Sequence, residues 1–542
     1  MVSVLRTTLV TLMACAIWLA LTAAWAAEEN DNTISGSDEA FERIRIEKGQ
    51  ASEGVSVEEA ISKFFGPDAV VDEGTYPPSE IWEHDGDLRR VKPEQVSYFG
   101  RLYGKYSSDD VSGVKKWEKE LEMSFSYKQW DALFRISDVN TFSYVNDPFR
   151  LQKASLRYKG DDVKVTLGSF GALFGRGLAL NMYEDRTLQF DNELEGIKVE
   201  VSGGDVETTA LWGTYKLRSQ LRNSEVTAAR TQVSIGESVS VGAHGVQLKF
   251  PDANYTPNNN YVLDYKIIGG DLTWLPKNGL VYAEMARLNR NQLDLSSNFW
   301  DREGREGKAF YANAAYYGNG YTLSGEYKDY QGMNHPFSVL PPLRRYREKA
   351  TADPNDDKGY TFELAWNPFE NGSMFNFDYG QGNSHDTHRP FTEFSAIYTS
   401  PSKGKTSWIG EYWNVNVEGD YHRVARLTLN RSFDEDWSGS TFLERERLSA
   451  DYFKAHFDHI VEAEIAYQSK FNAIFTWETT AAETTAEQRS SWKLWEFRWR
   501  PTEESEINLA KGSRREGFVC SGGVCRLEPA FEGWRVDYLL RF

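Results

Sequence analysis

The chain of 542 residues carries 61 Lys and Arg against 80 Asp and Glu, a net charge of −19 at a mean hydropathy of −0.57. That acidity excludes an electrostatic nucleic-acid binder, and no apolar run of about 18 residues follows position 26 to make a spanning helix. Three cysteines are too few for a disulfide scaffold or an iron–sulfur protein. Aromatic residues, at 14% of the chain, fit the interfacial girdles of an outer-membrane β-barrel.

Residues 1–26 read as a secretory signal peptide. Arg6 gives the basic start, Thr7 to Ala24 is apolar, and Ala24-Trp25-Ala26 is a small-x-small cleavage site. The apolar run continues past Cys15, which argues against a lipoprotein box. An exported chain cleaved there keeps only Cys520 and Cys525, in an oxidising compartment. Residues 27–95 hold 18 acidic and 7 basic residues, net −11, without strand alternation. They are expected to form a solvated periplasmic arm or a small plug. Ser56 and Glu59 make a capping box for a short helix that runs through Phe65 and ends at Gly66-Pro67.

From Gln95 onward apolar and polar residues alternate. Tyr360, Phe362, Leu364 and Trp366 share one face; Trp495, Phe497 and Trp499 share another. The spacing predicts an all-β fold over residues 96–542, a transmembrane antiparallel barrel of about 24 strands, in the range 20–26. Tight turns such as Lys159–Asp162, Ser202–Asp205, Pro276–Gly279, Gly318–Gly320 and Pro501–Glu504 alternate with long polar segments. Those segments are Asp138–Phe149, Phe170–Asp191, Pro251–Asn260, Asn289–Gly307, Gln331–Asp357, Gln381–Arg389, Thr479–Arg489 and Ser513–Ala530. Such sorting suits short periplasmic turns and long outer loops, with both termini periplasmic. Glu363, Asp378, Glu496, Arg498, Asp537 and Arg541 take lumen parity and mix both signs. The final strand places Trp534, Val536, Tyr538, Leu540 and Phe542 on one face, a pattern similar to the signal read by the barrel assembly machinery.

The most unusual stretch is Gly168-Ser169-Phe170-Gly171-Ala172-Leu173-Phe174-Gly175-Arg176-Gly177-Leu178, followed by Tyr183-Glu184-Asp185-Arg186 and Asp191-Asn192. It resembles an uncharacterised family of Gram-negative outer-membrane β-barrel proteins, porin-like, that share a Gly-rich F-G-x-G-L segment, an acidic-Arg pair and a D-N. A second shared element is Arg514 to Arg526. The resemblance implies the barrel and brings no catalytic residues. By composition the glycines permit kinks and close approach, so Gly171, Gly175, Arg176, Gly177, Glu184, Asp185 and Arg186 are candidates for a loop folded into the lumen, a bulged hairpin being the bland alternative. The segment lacks the Gly-Lys-Ser/Thr ending of a phosphate loop.

Cys520 and Cys525 bracket Ser521-Gly522-Gly523-Val524 and read as a disulfide, with metal binding the lesser alternative. His385-Asp386-Thr387-His388 and Asp353–Gly359 have metal-ligand residue types at imperfect spacing and are read as loop coincidences. His456 and His459 differ in parity and cannot co-ligate. Arg344–Lys349 is a basic patch suited to lipopolysaccharide phosphates or to plain solvation. No nucleophile elbow or zinc spacing is present, so no enzyme and no cofactor are expected. The expected function is an outer-membrane channel for small solutes, narrowed by infolded loops. The alternative is a sheath or receptor barrel for a periplasmic or lumenal protein, such as a multihaem electron carrier. Membrane lipid and lipopolysaccharide are the expected surroundings.

Overall fold

The computed structural model describes residues 96–109, 115–140, 147–185, 190–216, 223–251, 262–291, 306–333, 356–369, 372–385, 390–401, 405–417, 420–450, 453–468, 470–481, 490–515, 517–521, 524–528 and 530–542. The segments expected as signal peptide and acidic arm, Arg186 and the basic patch at 344–349 lie outside these residues.

Twenty-four antiparallel strands form one sheet that closes on itself. The first strand, Ser97–Asp109, pairs with the last, Phe531–Arg541, from Arg101↔Arg541 to Asp109↔Gly533. At the seam Gly100 N–H donates to the Phe542 carbonyl at 2.7 Å and Phe542 N–H returns the bond at 2.8 Å. A Cβ on Gly100 would stand 2.3 Å from the Phe542 ring, so glycine is what lets the ring lie across the seam. Closure leaves no open edge, the condition for a sheet to cross lipid.

Parity sorts the side chains as a membrane demands. Trp212, Leu272, Leu323, Phe362, Trp408, Leu443, Trp495, Trp499 and Trp534 are all exposed on the outward face. Near the short-turn rim the aromatics touch across strands. Trp366–Phe375, Phe375–Tyr398 and Tyr398–Trp408 have ring centroids 5.7, 4.8 and 4.6 Å apart. This is a girdle rather than a core, since the rings face out.

The connections are sorted by rim. One rim carries 128–129, 160–162, 204–205, 236–238, 275–278, 319–320, 367–373, 400–405, 433–436, 468–470 and 503–504. The other carries the long segments 171–193, 252–261, 292–305, 332–356, 481–490 and 515–530. Three sequence expectations shift. Strands Trp130–Asn140 and Asp147–Lys159 extend into the first predicted loop, leaving only 141–146. Strand Met374–Ser384 runs on past Gln381, so that connection is 385–389. At the long-connection rim, too, only two residues of sequence separate Val417 from Asp420 and Ala450 from Phe453.

Two segments with metal-ligand residue types are partly described. Asp357–Gly359 is ladder backbone, paired with Ser384, Asn383 and Gly382, and not part of a calcium loop. His385 bonds Asp329 at 2.8 Å, and its neighbour His388 is outside the described residues.

Candidate functional site

The segment 171–193 joins strands Val163–Phe170 and Leu194–Gly203, which pair directly beneath it. A chain that long between paired strands has to go somewhere, and it folds inward. It forms two small hairpins, Ala172–Phe174 with Leu180–Met182 and Glu184–Asp185 with Phe190–Asp191. Phe174, Leu178, Ala179 and Leu180 are completely buried, packed on Leu211, Val226, Val246, Leu248, Ile267 and Tyr282 from the inward face of the wall.

Gly175, Arg176 and Gly177 make the tip. Gly175 has φ +77°, and a Cβ there would fall 2.2 Å from a Glu284 carboxylate oxygen. Only glycine fits on both counts. Arg176 N–H donates to Glu284 Oε2 at 3.1 Å, and its guanidinium lies 5.6 and 5.8 Å from the ring centres of Tyr282 and Tyr311. The Tyr282 hydroxyl donates to Glu284 Oε2 at 3.0 Å, so the same carboxylate ties the tip to the wall. Beside the tip, Phe174 stacks on the buried ring of His244 at 5.8 Å.

Glu284 lies six strand steps from Phe170, about 29 Å along a sheet with strands about 4.8 Å apart. Five residues of extended chain reach about 18 Å. The wall therefore curls around the loop, and the loop occupies the hollow of that curve.

The other end of the loop is held by ions. Lys153 Nζ contacts Glu193 at 2.6 Å, Glu184 at 2.9 Å and Asp191 at 3.4 Å. Arg135 pairs with Glu122 at 2.5 Å, with Glu184, and more distantly with Glu120 at 3.8 Å. Both cationic side chains are about 4% exposed or less. Burial pushes the Glu184 carboxyl up, but Lys153 and Arg135 together outweigh it and hold the group below the usual carboxylate range. Glu193 goes the other way: burial dominates, and Lys153, shared with Asp191, does not offset it. Asn192 completes the clasp. Its side-chain oxygen accepts from Tyr183 N–H at 2.5 Å, and its amide donates to the Asn181 carbonyl at 2.8 Å.

The structure thus brings Gly171, Gly175, Arg176, Gly177 and Glu184 into one inturned element. Asp185 pairs its backbone with Phe190 there, and Arg186 lies outside the described residues. Sequence reasoning missed Glu284, Arg135, Lys153 and Asn192 as its anchors. The available signal was a charged residue at lumen parity flanked by inward aromatics, as Glu284 is by Tyr282.

Across the barrel the inward face is ionic. Arg426 pairs with Glu444 and reaches Glu411 at 3.4 Å, and Ser395 donates to Asp378 at 2.7 Å. Arg535 bridges Glu496 and Asp537 at 3.0 and 3.1 Å, which places the predicted lumen residues Glu496 and Asp537 in one network. Glu363 accepts from Ser324 at 3.4 Å and Arg498 pairs with Glu506 at 3.4 Å, while Arg541 sits opposite Arg101 at the seam. By strand parity Trp534, Val536, Tyr538 and Leu540 share one face of Phe531–Arg541, and Phe542 follows just beyond its end. His456 faces inward beside Asp458, at 3.8 Å, while His459 faces out. Cys520 and Cys525 are register partners in the hairpin Gly517–Ser521 and Val524–Glu528; their side chains lie outside the described set.

Residues 121–339 and 415–542 match the profile described as "Family of unknown function (DUF6029)". No curated protein matches the chain. Among solved structures the chain is similar to the translocation pore of the P pilus usher PapC, at 10% identity and TM-score 0.43, over 82% of this chain and 98% of that one. It is also similar to an Escherichia coli P pilus tip assembly intermediate of PapC, PapD, PapK and PapG, at 10% identity and TM-score 0.49, over 87% and 62%. A third is the siderophore receptor PirA from Pseudomonas aeruginosa, at 10% identity and TM-score 0.42, over 83% and 81%.

Proposed function

The chain belongs to the DUF6029 family, whose function is unknown, and from that premise we propose that it is an outer-membrane channel for small polar solutes. The observation that carries the reading is the division of the lumen wall. One side is filled by the inturned loop, and the other presents water-compatible groups. A 24-stranded ring is too wide for wall side chains alone to fill. Solute passes beside the loop, along the ionic side.

That side is acidic. Among the described side chains from Met374 to Tyr467 the inward carboxylates Asp378, Glu393, Glu411, Glu444, Glu446, Asp458, Glu462 and Glu464 outnumber the inward Arg426, and Arg515 reaches Asp458 from beyond these strands. A wall of one sign raises the local concentration of counter-ions, so the channel favours cations over anions. A sheath for a partner protein would need an apolar dock on this wall. The apolar cluster described there is just Val415 and Val424, with Trp413 and Val417. In this reading the short turns and the two ends of the barrel strand series face the periplasm, the long connections face out, and the assembly machinery inserts the barrel. No catalysis and no cofactor are involved.

Single-channel recording of the purified protein in planar bilayers under a salt gradient tests the proposal. A steady conductance with a cation-selective reversal potential is expected. A silent bilayer sinks the channel, and anion selectivity sinks the acidic-wall argument.

A Cys520–Cys525 bond belongs to the same proposal. Ser521↔Val524 is the innermost register pair, with two residues of sequence between its members, so the next pair out, Cys520↔Cys525, is expected to be a non-hydrogen-bonded pair. Such pairs have Cα atoms about 4.5 Å apart, inside the disulfide range. Alkylation of the denatured protein before and after reduction checks it: two thiols appearing only after reduction are expected.

A further inference from the structure

The outward face between strands Asp420–Ser432 and Phe453–Tyr467 carries a cationic cluster that the lumen does not use. Arg423, Arg445, Arg447 and His459 are exposed and share outward parity with Tyr421, Leu443 and Phe457. Register brings them together. Arg423 stands directly opposite Arg447, Arg445 opposite His459, and Arg447 opposite Phe457. All lie near the strand ends Val417, Asp420, Ala450 and Phe453, at the rim of the long connections.

The partners of these arginines are unusual for a strand surface. Arg423 Nε donates to Asn414 Oδ1 at 3.0 Å, and its guanidinium lies 5.5 Å from the Tyr421 ring centre. Arg445 and Arg447 lie 4.3 and 5.8 Å from the ring centre of Phe457. No carboxylate among the described residues pairs with any of the three. Elsewhere on the same face near this rim, cations are neutralised: Arg287 pairs with Glu306 at 2.8 Å and Lys358 with Asp329 at 3.0 Å. Like charges directly opposed across a ladder destabilise a sheet. An Arg423/Arg447 pair that no carboxylate among the described residues neutralises is therefore a surface suited to an external anion.

The position names the anion. Along the same strands, toward the short-turn rim, the outward residues turn apolar at Leu443, Val461 and Leu429. The arginines thus mark the level where headgroup phosphates stand above acyl chains. We propose that Arg423, Arg445, Arg447 and His459 form a docking site for the phosphorylated headgroup of lipopolysaccharide, with acyl chains lying along Phe457, Val461 and Leu443. Guanidinium groups bind phosphate through two parallel N–H donors, and the rings beneath hold them flat for it. Inorganic phosphate would meet the same donors but gain nothing from the apolar row. The proposal rests on the outward orientation of the long-loop rim given above, and not on whether the lumen conducts.

The test uses the full-length protein in detergent, incubated with lipopolysaccharide, its dephosphorylated form, phosphatidylglycerol or inorganic phosphate, with bound lipid read by native mass spectrometry. Lipopolysaccharide is expected to stay bound, and the combined Arg423→Gln, Arg445→Gln and Arg447→Gln variant to lose on the order of tenfold in occupancy. Arg287→Gln is expected to change nothing. Equal occupancy in the triple variant, equal binding of the dephosphorylated form, or displacement by phosphatidylglycerol or phosphate overturns the proposal. Strand content by circular dichroism and unchanged electrophoretic mobility establish that the triple variant is folded. If it is not, Arg445→Gln alone supplies the same comparison, with a loss of a few-fold expected and none overturning. Loss of conductance with lipid binding intact would fault the channel reading alone.

Discussion

Strands between Leu194 and Gln331 bury Leu211, Val226, Val246, Leu248 and Ile267 on their inward face, whereas those between Asp357 and Tyr467 set Glu363, Asp378, Glu411 and Glu444 there. Both regions obey the same period of two, and both turn apolar residues toward lipid. The difference is what each inward face meets. A run of apolar inward residues on spanning strands marks where chain lies against the wall, and single charges beside it, such as Glu284, Arg135 and Lys153, anchor that chain. Read this way, apolar residues on both faces, as in Tyr265, Ile267 and Ile268, report a filled lumen.

The sharpest way to break this comparison is to remove one cation from each region. Arg135→Met takes the buried cation away from Glu122 and Glu120, while Lys153 still holds Glu184, a loss expected to cost about 3 kcal/mol. Arg535→Met leaves Glu496 and Asp537 roughly a fifth exposed to lumen water, so about 1 kcal/mol is expected. Urea unfolding of both variants in detergent checks the contrast, and equal costs would erase it. Gly175→Val comes next. Its φ and the Glu284 carboxylate both oppose a side chain, for about 1–3 kcal/mol. The freed tip should also raise single-channel conductance.

The smallest effect is that of pH. Glu184 is held below its ordinary value, so its tether is present above the ordinary carboxylate pKa of about 4.3 and is lost as pH falls through its lower folded value. Glu193 has the opposite sign, because its raised pKa favours the folded state on acidification. The two partly offset. A modest acid loosening of the loop, seen as protease sensitivity within 171–193, is expected in wild type and should vanish in Glu184→Gln.

Strand parity and the sorting of connections were legible in the sequence because both are local: alternation needs a few residues and a Gly-Asn turn needs two. The Gly-rich segment stood out for the same reason. Its anchors did not, since Arg176 meets Glu284 108 positions away and Arg135 meets Glu184 49 away. Nothing in the composition around Lys153 announces three carboxylates. The outward arginines at 423, 445 and 447 were likewise visible one by one, but only register makes them neighbours.

The seam has a kinetic consequence. Most pairings in the ring join strands that follow one another in the chain and need little loop closure, yet Gly100 and Phe542 meet across the whole barrel sequence. The largest single loop-closure cost in forming the ring therefore falls on one late step. Until that step the sheet has two bare edges, each able to pair with the wrong chain. Assembly is limited less by making strands than by keeping those two edges apart from everything except each other.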